Sequence, residues 1–206
     1  MSLTETAAVA ELPGAAPQCA PRVVGLDLSL TSTGVAFGVA RAEALRYKGR
    51  GHGRLAWLRA EIRQRTNGAD LVVVEGAAFA SGAQAGHHEL AGLWWMVTHD
   101  LWRRGIPYAI VPPHSRTIYA MGRANPAQEH PREKRAKIAK GMVRDAVRRV
   151  YGLECEGAGR YDESDAAVLA AMGLDWLGWA AAGVPDTHRR ALDGVAWPEQ
   201  RPLIAR

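Results

Sequence analysis

The 206 residues of this chain suffice for one globular domain with a sizeable core, flanked by tails. A hydrophobic share of 48% beside 23% charged residues is that of a soluble folded protein, and no apolar run is long enough to cross a bilayer. Two cysteines, Cys19 and Cys155, make neither a disulfide framework nor a zinc site, which fits a reducing, cytoplasmic setting.

In chain order, residues 1–21 are rich in Ala and Pro and lack the basic start and apolar core of a signal peptide. They read as a disordered lead-in to a domain over residues 22–182, with residues 183–206 as a C-terminal tail. Val23–Leu28 is an apolar run with one acid, Asp27, and reads as a buried strand. Thr31-Ser32-Thr33-Gly34 is a turn signal, and Val35–Val39 resumes as the second strand of a hairpin. A carboxylate on a core strand costs several kcal/mol unless something compensates it. Either a backbone amide or an arginine satisfies Asp27, or it holds a metal or a phosphate. Ala44–Lys48 follows as a third strand, closing an antiparallel meander.

Arg54–Arg65 has Leu55, Leu58 and Ile62 at helical spacing, and Asn67-Gly68 ends that helix. Leu71–Glu75 is another buried strand that finishes in an acid. Gln84–Arg104 reads as the longest helix. Leu90, Leu93, Trp94, Val97 and Leu101 form one apolar stripe, and Ala91, Trp95 and Trp102 form a second on a different face. The sheet can cover the first; the second needs a partner subunit or a tail of the same chain. Pro107–Val111 is a fifth strand, ended by Pro112-Pro113, and Arg123–Pro131 is a polar loop. Arg132–Val150 is a helix with Ile138, Met142, Ala146 and Val150 on its apolar stripe, and Asp162–Ala182 is the last helix. Three meandering strands followed by strand–helix alternation give an α/β fold. Its mixed five-stranded sheet carries helices on both faces.

Charge is unevenly spread. From Arg116 to Arg149 ten Lys and Arg face three acids, a local charge of +7, so the remainder of the chain sums to −2. Arg116, Arg123, Lys134, Arg135, Lys137, Lys140 and Arg144 belong to this segment and are candidates for contact with a polyanion such as DNA; a solvated helix face is the alternative.

The acids show a second pattern. Asp27 sits on the first strand and Glu75 at the C-terminal end of the fourth, so both would emerge near one sheet edge if those strands are parallel neighbours. Asp162 and Asp165 lie three apart in the first turn of a helix. That last pair also suits N-capping and dipole compensation. Four acids in one site repel unless divalent cations hold them, and oxygen-only ligands suit Mg²⁺ or Mn²⁺. Two such ions would serve the hydrolysis of a phosphodiester.

Val24-Gly25-Leu26-Asp27-Leu28-Ser29 with Thr33-Gly34, then Val73-Val74-Glu75, then Tyr161-Asp162-Glu163-Ser164-Asp165-Ala166 resemble the RuvC-type Holliday-junction resolvases of the ribonuclease H-like superfamily. The likeness runs from about Arg22 to Gly178. It implies Asp27, Glu75, Asp162 and Asp165 as catalytic metal ligands for two Mg²⁺ ions, with Mn²⁺ as a substitute. It also implies a homodimer that cuts two strands of a four-way junction symmetrically, in recombination, repair or replication. Ala91, Trp95 and Trp102 are the candidate interface. An aromatic residue after the glutamate is expected at the junction centre; Phe79 is the candidate, one residue later than the family pattern. A basic residue near the active site is also expected, and Lys134, Arg135 and Lys137 compete for it. The small size and divergent loops resemble phage-borne versions.

Other readings rest on the same residues. The Asp27 hairpin also resembles the phosphate-binding hairpin of actin-like ATPases, but those need a second such domain, for which there is no room. A non-catalytic DNA-binding module would leave four acids as a standing cost. Another ribonuclease H-like nuclease, acting on branched DNA or RNA–DNA hybrids, differs only in substrate shape.

Overall fold

The computed structural model of the chain describes residues 19–77 and 86–199. Its sheet is built from β1 (Val23–Asp27), β2 (Thr33–Phe37), β3 (Arg41–Leu45), β4 (Leu71–Glu75) and β5 (Tyr108–Val111), in spatial order β3-β2-β1-β4-β5. β2 is antiparallel to both β1 and β3, whereas β4 is parallel to β1 and β5 is parallel to β4. This is the mixed five-stranded α/β sheet expected from the order of elements. The third strand lies three residues earlier than the sequence reading placed it. Gly38 adopts a positive φ of 58° directly after Phe37, so the chain reverses there and Arg41 pairs with Phe37.

Both sheet faces are covered, as the apolar runs of β1 and β4 require. On one face lie α1 (Gly51–Arg65) and α2 (His87–Arg103). Leu58, Ile62, Leu93, Val97 and Leu101 bury themselves there against Val24, Leu26, Val72 and Val74. Asp100 of α2 is buried beneath α1, where Arg63 and Arg104 are ion-paired with it, the latter at 2.8 Å. On the opposite face lie α3 (Pro113–Met121), α4 (Arg132–Tyr151) and α5 (Arg160–Trp176), the last buried over most of its length.

Several boundaries differ from the sequence reading. α3 is an element that the sequence pattern does not announce: Pro112 and Pro113 end β5 but also start a helix, for which a proline at the first position is well suited. α4, at 20 residues, is longer than α2. Its buried stripe is Val143, Ala146 and Val147, while Val150 is exposed, because a strict four-residue row drifts off the contact face of a 3.6-residue helix. α5 stops at Trp176. The chain then forms α6 (Asp186–Arg189) and a 3₁₀ turn at Arg190–Leu192. It reaches the sheet edge, where Ala196 bridges Ile110 of β5, and Trp197 stacks on Trp176 at 4.8 Å. Arg189 closes this segment onto the buried Asp175 at 2.9 Å. Among the described residues no helix is long and apolar enough to cross a membrane.

Candidate active site

The parallel pairing of β1 with β4 brings Asp27 and Glu75 to the same end of adjacent strands. Each strand ends at its acid, and both acids are less buried than the four apolar residues before them, so the carboxylates emerge at the margin of the core. The turn after β1 is tied by the residues of its motif. Thr33 is fully buried; its hydroxyl donates to the Ser29 carbonyl at 2.6 Å and accepts from the Ser29 amide at 3.1 Å. The end of β4 is fixed by Trp94, whose indole N–H donates to the Glu75 carbonyl at 3.1 Å.

The other two acids arrive by close packing of α5. Gly25 of β1 lies directly under the helix: a Cβ there would clash with the Ala166 carbonyl and come within 2.7 Å of the Ala170 amide nitrogen. Gly34, the partner of Asp27 across the β1–β2 ladder, meets the Asp162 carbonyl in the same way. Two glycines therefore let α5 sit on the strand backbones. Asp165 is buried, and Asp162 stands half-buried beside Asp27, close enough to disfavour its ionisation.

Arg116 enters this cluster from α3. It is ion-paired with Asp165, and its Nη1 lies 3.4 Å from Glu75. Burial opposes its charge, but Asp165, Glu75 and Asp27 outweigh that and hold its proton more tightly than usual. By sequence Arg116 belongs with the candidates for DNA contact; in the structure it is instead 13% exposed, among the acids. The available signal was its position: β5 ends at Val111, level with Glu75, and a helix starting at Pro113 carries Arg116 back over that end.

One guanidinium does not neutralise four carboxyl groups. Burial raises Asp27 well above the ordinary carboxylate range, and the neighbouring charge of Glu75 raises it further. Burial likewise raises Glu75, against the pull of Arg116. Asp165 is pushed up to about 6, by burial first and Asp27 next, with Arg116 acting in opposition. Among the described residues no three Asp, Glu, His or Cys side chains form a ready-made metal cage. The donor set nonetheless fits a hard divalent cation. All donors are carboxylate oxygens, and the negative charge exceeds what Arg116 supplies.

The other expected contacts are dispersed. Lys134, Arg135, Lys137 and Lys140 are exposed on α4, and Lys140 is near enough to Glu75 and Asp165 to lower both pKa values. Lys140 thus stands nearer the acids in effect than the three residues expected to compete for that role. Arg123 is exposed, with Glu129 at 3.8 Å, and Arg144 is paired with Asp145 at 2.9 Å. Phe79 lies outside the described residues. On α2, Ala91 is half-buried, and Trp95 and Trp102 are 64% and 68% exposed. The segment leading to Trp197 packs on the opposite side of the sheet, with α5, so this described segment does not cover these tryptophans.

The architecture is that of a known class. The solved structure of Thermus thermophilus RuvC superposes with a TM-score of 0.54 at 17% identity, covering 79% of this chain and 99% of that one. Thermus thermophilus RuvC in complex with Holliday junction substrate gives 0.50 at 18% identity, covering 79% and 98%. At such identities the likeness establishes the fold: the chain has a RuvC-like, ribonuclease H-like fold. No protein-family model matches the sequence, and no curated protein matches it significantly.

Proposed function

We propose that the protein is a divalent-metal-dependent endonuclease that resolves four-way DNA junctions. The observation that carries this reading is the convergence of Asp27, Glu75, Asp162 and Asp165 at one sheet edge, with a buried arginine between them. The fold is shared with Thermus thermophilus RuvC, which has been solved bound to a Holliday junction. The four carboxylates would hold Mg²⁺, or Mn²⁺ in its place. Bound there, the cations would supply an activated water and offset charge developing on the phosphate.

The chain's own residues have separate tasks. Arg116 holds Glu75 and Asp165 in place and limits their mutual repulsion. Trp94 and the Thr33–Ser29 hydrogen bonds fix the backbone around Glu75 and Asp27. The exposed lysines of α4 attract the phosphate backbone. Symmetric cutting needs two active sites, so the reading includes a two-fold homodimer through Ala91, Trp95 and Trp102.

The test is a cleavage assay on a four-way junction, a flap, an RNA–DNA hybrid and a linear duplex, each with Mg²⁺ and with chelator. Paired, Mg²⁺-dependent incision of the junction is expected. Preferred cutting of the hybrid or flap would redirect the assignment to another nuclease of this fold. No metal-dependent cutting of any substrate would refute the nuclease reading.

A further inference from the structure

The sequence between Glu43 and Glu61 contains no acid, but has Arg46, Lys48, Arg50, Arg54 and Arg59. Arg54 is ion-paired with Glu89 at the start of α2, and Arg59 approaches Asp100 at 3.9 Å. Arg46, Lys48 and Arg50 are exposed and form no ion pair with any described residue. Between them stands Tyr47, 39% exposed and stacked on Trp57 with ring centroids 5.2 Å apart and planes at 21°. A Cβ on Gly49 would clash with the Tyr47 ring at Cε1, so this glycine lets the loop close against the ring and pin it. An exposed aromatic ring held in place among free cations differs from a merely solvated charge run, whose side chains need no fixed order.

The topology places this loop beside the acids. Leu45, the last residue of β3, pairs with Thr33, and the next residue of β2, Gly34, pairs with Asp27. The loop therefore leaves the sheet at the level of Asp27, two strands away, or about 10 Å. Ala44 also packs directly on Gly159, immediately before the helix that carries Asp162. The acid centre is flanked on this side by Arg46–Arg50, and from the α4 side by Lys140.

The geometry points to a second DNA-binding site on this loop: Arg46, Lys48 and Arg50 engage phosphates of the strand that leads into the acid centre, and Tyr47 stacks on an unpaired base of that strand. This rests on the nuclease reading for the direction of the strand, and the chemistry is that of single-strand binding, cations for the backbone and an aromatic face for bases.

The experiment measures binding of the full-length protein in chelator, by fluorescence anisotropy, to a four-way junction, a single strand and a linear duplex over a salt series. Arg46→Gln/Lys48→Gln/Arg50→Gln should make the slope of log affinity against log salt shallower by about two to three, since each phosphate contact contributes about 0.7–0.9. Tyr47→Leu keeps an apolar contact for Trp57 and should weaken single-strand binding at least about fivefold, with little change on duplex and none in slope. Tyr47→Phe should bind like the parent, which separates lost stacking from disturbed folding. Unchanged slope and affinity in the triple and leucine variants, with the parent binding and cutting DNA, would overturn the loop site alone. Loop-dependent binding by a protein that never cuts would uphold the site and remove the nuclease reading. A parent that binds no DNA would remove both.

Discussion

Gly34 of β2 faces the backbone carbonyl of Asp162 so closely that no side chain fits between them. That contact joins the strand opposite Asp27 to the helix that carries two of the four acids. Gly34→Ala should force α5 away from the sheet, costing about 1–3 kcal/mol by overpacking, or more if the backbone cannot yield. For a domain of this size the melting temperature should fall by at least about 2–4 °C. Metal-dependent cleavage should fall further than stability does. Equal melting temperatures for variant and parent would show that the helix shifts without cost.

Asp27→Asn should abolish cleavage and leave junction binding within a few-fold of the parent. Cation holding depends on the acids, whereas affinity depends on the basic face. Cleavage at near the parental rate would take Asp27 out of the site.

Metal-free stability should depend on pH through Asp165. Its pKa rises from 3.8 to about 6 on folding, so the folded state binds the proton more tightly. That contribution is fully present below pH 4 and is lost as pH rises through 6, on the order of 3 kcal/mol. In chelator, the melting temperature of Asp165→Asn relative to the parent should therefore climb between pH 4 and pH 7. A constant difference would mean that Arg116 already offsets the charge of Asp165.

Lys137 and Lys140 lie on one helix but should behave differently. Lys137→Ala should weaken DNA binding and make its salt dependence shallower by about one contact. Lys140, whose charge reaches Glu75 and Asp165, should affect cleavage more than binding when replaced by alanine. Identical profiles for the two variants would indicate that α4 acts only as a uniform cationic rail.

Trp95→Glu or Trp102→Glu should yield a monomer, because a charge buried in an apolar interface costs several kcal/mol. The monomer should keep its fold and nick without paired incision. Sedimentation velocity at micromolar concentration checks the assembly directly. A parent that sediments as a monomer yet makes paired cuts would contradict the dimer.

The strands and the four acids were legible in the sequence because both are local signals. A β-strand in a sheet covered on both faces reads as an apolar run, so an acid within or ending such a run stands out, as Asp27 and Glu75 do. Asp162 and Asp165 share a helix face by spacing alone. The interior role of Arg116 was not legible, since an arginine in a basic segment looks like its neighbours. Only the register of Glu75 with Val111 and the turn into α3 carry it back over the acids. The short spacing of α5 was hidden likewise: Gly25 and Gly34 look like strand and turn glycines until the helix backbone is laid across them. The basic loop around Tyr47 is not legible either, because its meaning depends on the edge of the sheet from which it leaves. Residue order fixes which chemistry a chain can carry. Which charges become neighbours is decided by strand register and helix packing, since electrostatic and steric interactions act over a few ångströms between residues far apart in sequence.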